Sequence, residues 1–127
     1  MQSTGAVLVN NLVVRTRRSP DLTNFWVQPF SAFYLNVLPD TMSGNLVAGS
    51  EDTGYTIRID QCGSTKLRIT NNEVHGALVG VYILPYFGGD CGEVRSFVAW
   101  KCAHIGIVTV DQVSNLELKG VVVSDSH

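Results

Sequence analysis

The amino-acid sequence predicts an all-β chain folded as a right-handed parallel β-helix. Three observations predict it. Gly54, Gly80 and Gly106 stand at equal intervals, and each opens an apolar run: Tyr55-Thr56-Ile57-Arg58-Ile59, Val81-Tyr82-Ile83-Leu84 and Ile107-Val108-Thr109-Val110. Two equal spacings of this length mark an internal repeat. Val and Ile dominate the apolar residues, which favours strands over helices. Parallel strands need a crossover, and no helical periodicity offers one. Stacked passes of the chain solve this, because each strand then pairs with its equivalent about 4.8 Å away.

The elements follow in order. Val7 to Val14 reads as one or two short strands around the Asn10-Asn11 turn, and residues 17–24 form a polar loop with Ser19-Pro20-Asp21 as its turn signal. Phe25-Trp26-Val27 and Ala32 to Val37 resume apolar structure, Pro39-Asp40 turns, and Asn45-Leu46-Val47-Ala48 starts the repeat proper. Lys66 to Thr70 and Asn115 to Lys119 alternate strictly, as half-buried strands do. The segment from Pro85 to Gly92 reads as loop throughout, and Val121-Val122-Val123 as the last strand. Inward residues such as Ile57, Val81 and Ile83 stack in columns. Ala48, Val74 and Trp100 lie six residues before each repeat glycine, which assigns Trp100 to the core. Asn45, Asn71 and Asn72 sit near equivalent turns, where Asn tolerates a left-handed backbone and its amides can ladder. Solenoids need polar caps, and neither end carries one. Residues 1–127 therefore read as one β-helix region with uncapped ends, part of a longer solenoid.

Composition excludes several classes. A net charge of −2 removes the electrostatic footprint of a nucleic-acid binder. The basic cluster Arg15-Thr16-Arg17-Arg18 reads as a solvated loop. No apolar run is long enough to span a bilayer, and residues 1–5 carry no secretory signal. Three cysteines without a CxxC are too few for a disulfide framework.

An ordered series of residues resembles a known family. Asn45-Leu46-Val47-Ala48-Gly49-Ser50-Glu51 is similar to a turn of the fibrocystin and fibrocystin-like ectodomains. More distantly, it is similar to the same turn in the cell-migration-inducing hyaluronan-degrading proteins. Asn72-Glu73-Val74-His75-Gly76 with Gly80-Val81-Tyr82-Ile83 resembles the next rung, and Phe97 to Cys102 with Gly106-Ile107 the one after. Ser114-Asn115-Leu116 through Val123 resembles a closing rung. The resemblance spans residues 7–127 and leans to the fibrocystin-like branch. It implies a right-handed parallel β-helix within a large extracellular, receptor-like protein with a single membrane span, placing this chain outside the cell or at its surface.

The residues able to do chemistry form no obvious cluster. His75 and His104 lack zinc-ligand spacing; the register sets His75 beside Lys101 as a turn-capping residue. Glu51, Asp52, Asp60, Asp90, Glu93 and Asp111 read as solvated turn carboxylates. Asp111 shares a register with Ile59 and Pro85, so the pair of acids that glycoside cleavage needs is missing there. If a glycan site exists, it centres on Arg58, Asp60 and Asp111, with Tyr82 and Tyr86 as the better exposed stacking pair among Trp26, Phe33, Tyr34, Tyr55 and Trp100. Cys62 and Cys91 lie in loops one rung apart, within disulfide reach if the loops stack; Cys102 points into the core. No cofactor or metal site is expected.

Two functions remain. The first is a non-enzymatic extracellular scaffold or recognition module, meeting an unknown protein or glycan through its outer faces and loops. The second is a β-helix enzyme that depolymerises hyaluronan or a pectin-like glycan. A fold does not choose between them.

Overall fold

A computed structural model describes residues 6–17, 30–59, 69–85, 92–109 and 116–126. Among them only strands occur as regular elements. They are β1 (Val7–Val9), β2 (Leu12–Thr16), β3 (Ser31–Leu35), β4 (Thr41–Ser43), β5 (Leu46–Ile59), β6 (Ile69–Thr70), β7 (Glu73–Pro85), β8 (Gly92–Arg95), β9 (Val98–Trp100), β10 (Ile105–Thr109), β11 (Leu116–Lys119) and β12 (Val122–Ser124). One sheet runs β1-β4-β6-β8-β11 and the other β12-β9-β7-β5-β2, with β3 added to β5 and β10 to β7. Every pairing is parallel. An all-β chain with two parallel sheets, between which the chain crosses repeatedly, is compatible with a β-helix.

The register defines columns across the passes. Val13, Val47, Val74, Ala99 and Val123 pair in sequence, and so do Leu8, Met42, Ile69, Val94 and Leu118. These columns face each other across the core, where Met42, Val47, Ile69, Val74, Val94 and Ala99 are buried. Tyr55, Ile57, Val81 and Ile83, from the second halves of β5 and β7, join the core; Ile57 pairs with Ile83, and both are buried.

Two sets of left-handed residues turn the corners. Asn10, Gly44, Asn71, Ser96 and Gly120 have φ between 49° and 66°, and Arg15, Gly49, Gly76, Lys101 and Asp125 between 51° and 83°. Glycine and asparagine bear this conformation at least cost. β5 and β7 each pass through such a corner, at Gly49 and Gly76. This lets the first half of each strand pair in one sheet region and the second half in another.

Next to the first corner an amide ladder forms. Asn11 Nδ2 donates to Asn45 Oδ1 at 2.8 Å, and Asn45 Nδ2 donates to Asn72 Oδ1 at 2.9 Å. The backbone N–H groups of Asn11 and Asn45 donate to the same two oxygens. Asn72 Nδ2 closes on the carbonyls of Met42 and Thr70. Asn45 and Asn72 are 1% exposed, so each of these bonds replaces water that cannot enter. The next pass puts Phe97 at this position, where it packs edge-on against Tyr55 at 5.1 Å. Phe33 stacks on the other side of Tyr55 at 5.0 Å. The Tyr55 hydroxyl, placed between the carbonyls of Asn45 and Glu73, donates across the interior. Of the asparagines expected at turns, Asn45 and Asn72 ladder, with Asn11 as a further member, and Asn71 takes the left-handed conformation at the corner.

Gly54, Gly80 and Gly106 stand at equivalent positions, since Tyr55 pairs with Val81 and Ile107 with Val81. Their φ angles are unexceptional; the requirement is space. A Cβ on Gly54 would sit 2.8 Å from the Gly80 carbonyl oxygen and against the Val74 methyl. On Gly80 it would press on the Gly106 carbonyl and lie 3.2 Å from Ala99 Cβ, and on Gly106 it would strike Val123.

Three expectations need correction. Trp100 does not share a column with Val74. Ala48 pairs with His75 and His75 with Trp100. The pass from 48 to 75 is thus one residue longer than the glycine period, and the pass from 75 to 100 is one residue shorter. A register shift between Ser50 and Thr53 absorbs the first difference. A slip of one residue exchanges the two faces of a strand, and Trp100 accordingly leaves the core. For the same reason His75 adjoins Trp100 in the ladder rather than Lys101. Finally, Pro85 ends β7, in register with Ile59, and Gly92 starts β8, so these two ends of the loop expected over 85–92 belong to strands, and residues 86–91 fall outside the described residues.

Candidate binding site

The strands β2, β5, β7, β9 and β12 present two outward columns. One runs Leu12, Leu46, Glu73, Val98, Val122, and the other Val14, Ala48, His75, Trp100, Ser124. Most of these residues are apolar, and Leu12, Val14 and Val122 are more than half exposed. In the middle stand two aromatic rings. His75 and Trp100 stack with centroids 4.5 Å apart and planes 26° from parallel. That separation matches the strand spacing of about 4.8 Å, so the sheet itself sets the stack.

Polar contacts fix this pair. The Trp100 Nε1–H donates to Glu73 Oε1 at 2.7 Å, across from β9 to β7. The Lys101 ammonium lies 5.3 Å from the indole centroid, within the range of a cation–π contact. Lys101 can reach there because it occupies the second left-handed corner, with φ 51°. Glu73, His75 and Trp100 are half-buried and Lys101 is exposed. The result is a rigid aromatic shelf with a carboxylate and an ammonium on its rim.

The residues singled out from the sequence are dispersed differently. Thr56 pairs with Tyr82 and Arg58 with Leu84, so Arg58 and Tyr82 lie diagonally on the side opposite Tyr55 and Ile57. Arg58 is half-buried, and its Nε has no hydrogen-bond partner among the described residues. Asp60, Tyr86 and Asp111 fall outside the described residues, as do Cys62 and Cys91. Cys102 is buried with a free thiol, whose pKa burial pushes up; such a thiol is a poor nucleophile. The shelf itself was hidden because the glycine period grouped Trp100 with Val74. In the structure the left-handed corners reveal the offset, since Lys101 follows Gly76 one residue sooner than that period allows; nothing local in the sequence marks it.

The outer face of the other sheet is ionic at one end. Glu93 accepts from Arg95 Nε at 2.5 Å and from Lys119 Nζ at 3.1 Å, and Lys119 also meets Glu117 at 2.8 Å. The Arg95 and Lys119 contacts hold the Glu93 carboxyl below its usual range. Among the described residues no three His, Cys, Asp or Glu converge as metal ligands, and no helix is long and apolar enough to cross a membrane.

Parallel strands, left-handed corners and a stacked aromatic pair on an outer face define the chain as an all-β protein of the parallel-sheet class. Within that class its similarity is to fibrocystin. It is 31% identical to fibrocystin of Canis lupus familiaris over 121 residues, and these cover 94% of this chain but 3% of the relative. It is 28% identical to fibrocystin of Mus musculus over 120 residues, again 94% of this chain and 3% of the relative. Fibrocystin-L of Mus musculus is 33% identical over 69 residues, 52% of this chain and 2% of that protein. No family model matches the chain, and no solved structure matches it.

Proposed function

We propose that the chain is a right-handed parallel β-helix segment in the extracellular part of a large, receptor-like, membrane-anchored protein. There it serves as a non-catalytic scaffold that recognises a protein or glycan through its outer faces and loops. The handedness is supported by the rule that crossovers between parallel strands of one sheet are right-handed in about 98% of cases. The similarity to fibrocystin, of which this chain matches 3% of the length, supports a segment of a much larger protein. The observation that carries the recognition role is the shelf. A stacked His–Trp pair, among exposed leucine and valine side chains, stands where a sheet facing only water would carry polar residues.

The test joins binding to catalysis. The chain is incubated with hyaluronan and pectic glycans, and new reducing ends are measured beside retention on immobilised glycans and cell-surface protein. Retention without new reducing ends is the expected outcome. Turnover that is abolished by Asp60→Asn or Asp111→Asn replaces this reading with the depolymerase.

A further inference from the structure

We propose that the His75–Trp100 shelf seats one uncharged pyranose ring of a glycan. This rests on the recognition reading above and names the ligand and its place. Size decides first. Five strands about 4.8 Å apart and two columns about 7 Å apart cover roughly 300 Å². A stable protein interface needs about 800 Å² on each partner, so the face suits a slender chain better than a folded domain.

Shape and chemistry agree. The indole and imidazole rings are flanked in their column by Ala48 and Ser124, both small. A sugar ring offers apolar C–H groups on its face and hydroxyls on its edge. The indole face that His75 leaves uncovered, on the Ser124 side, meets the former. The second oxygen of Glu73 accepts from a hydroxyl, while the Lys101 ammonium and the Ser124 hydroxyl reach its neighbours. The Nε1–H bond at 2.7 Å already holds the indole in place, so little side-chain entropy is lost on binding. Charge then selects among sugars. Glu73 and Lys101 cancel, and Asp125, exposed, follows Lys101 at the corner one pass on. The rim therefore has no excess cation for a uronic acid, and a neutral ring fits.

The experiment titrates the whole chain with cellotetraose, chitotetraose and maltotetraose, each at millimolar concentration. A hyaluronan tetrasaccharide is the acidic comparator. Calorimetry and saturation-transfer NMR read the binding. One neutral tetrasaccharide is expected to bind saturably. Trp100→Ala should weaken it roughly tenfold and Trp100→Phe by no more than about threefold, with circular dichroism showing both variants folded. Arg58→Gln and Tyr82→Phe should leave it unchanged. Undiminished binding by Trp100→Ala places the sugar elsewhere and overturns this inference while the recognition reading stands. So does tighter binding of the acidic tetrasaccharide, or binding of none of the four. Self-association lost in Trp100→Ala would assign the shelf to a second copy and overturn it too. New reducing ends from any tetrasaccharide would instead overturn the recognition reading itself.

Discussion

Val47, Val74 and Ala99 lie in one column; Ala48, His75 and Trp100, each one residue further along the chain, lie in another. The first column is fully buried, and the second carries a stacked aromatic pair at the surface. The difference teaches how this architecture divides labour. The inward column is confined by its neighbours one strand away, so side-chain volume there is fixed to within a methyl group. The outward column is confined only in spacing. Any flat ring placed on it at consecutive passes is stacked by the backbone, without a pocket having to be built.

That contrast can be broken from the inside first. Gly80→Ala drives a methyl group against the Gly106 carbonyl and Ala99, and it is expected to cost about 3 kcal/mol. The urea midpoint measures it; an unchanged midpoint would show that the interior is loose and the division unreal. Next comes the ladder. Asn45→Leu leaves the two Asn11 N–H groups without their acceptor and Asn72 Oδ1 with only the backbone N–H of residue 45, a loss of about 2 kcal/mol for unsatisfied buried groups. Asn45→Asp, which keeps an acceptor, should recover part of it at low pH, where the carboxyl is neutral.

Tyr55→Phe sharpens the comparison at intermediate size, because the hydroxyl lies inside while its charge partner Glu73 faces out. Loss of its bonds to the Asn45 and Glu73 carbonyls is expected to cost about 1.5 kcal/mol at neutral pH. Burial raises the Tyr55 pKa well above its ordinary 10.0, and the Glu73 carboxylate raises it further. The sign follows from the raised folded value. Its contribution is complete below pH 10, where the unfolded phenol is also neutral, and is lost as the pH climbs toward the folded pKa. Thermal melts of both proteins should therefore converge above pH 10. Parallel melting curves would place the ring in water.

The smallest effect belongs to the outward column. Trp100→Ala removes a half-buried ring on an outer face and one hydrogen bond, and about 1 kcal/mol is expected. The core assignment made from the sequence would have required about 3–5 kcal/mol. The midpoint of the denaturation curve separates the two.

Much of the fold was legible because glycine speaks for geometry. Gly54, Gly80 and Gly106 keep a strict period since each abuts the next pass, and steric exclusion admits no drift. The apolar runs after them named their own columns for the same reason. Trp100 was not legible by that period. Counting from the glycines passes over two changes of phase. One is the register shift at Ser50 and Thr53; the other lies between β9 and β10, where His75 pairs with Trp100 but Val79 with Ile105. Apolar identity did not help either, since an outward, half-buried Trp and a core one look alike in sequence. Glu73 and Lys101 were equally silent. Their roles arise from a diagonal contact and from a corner conformation, neither of which has a local signature.

The corners have one more implication. Asn10 and Arg15 are five residues apart, and so are Gly44 and Gly49, Asn71 and Gly76, Ser96 and Lys101, and Gly120 and Asp125. The stretches leading on to the next such pair run from 15 to 44, 49 to 71, 76 to 96 and 101 to 120, each shorter than the one before. Growth and shrinkage of the chain are thus quarantined in one part of the circuit, while the span that displays His75 and Trp100 stays constant like the teeth of a comb. Foreign sequence spliced into the elastic part would leave the display untouched, and a single residue added between the corners would turn it to face the core.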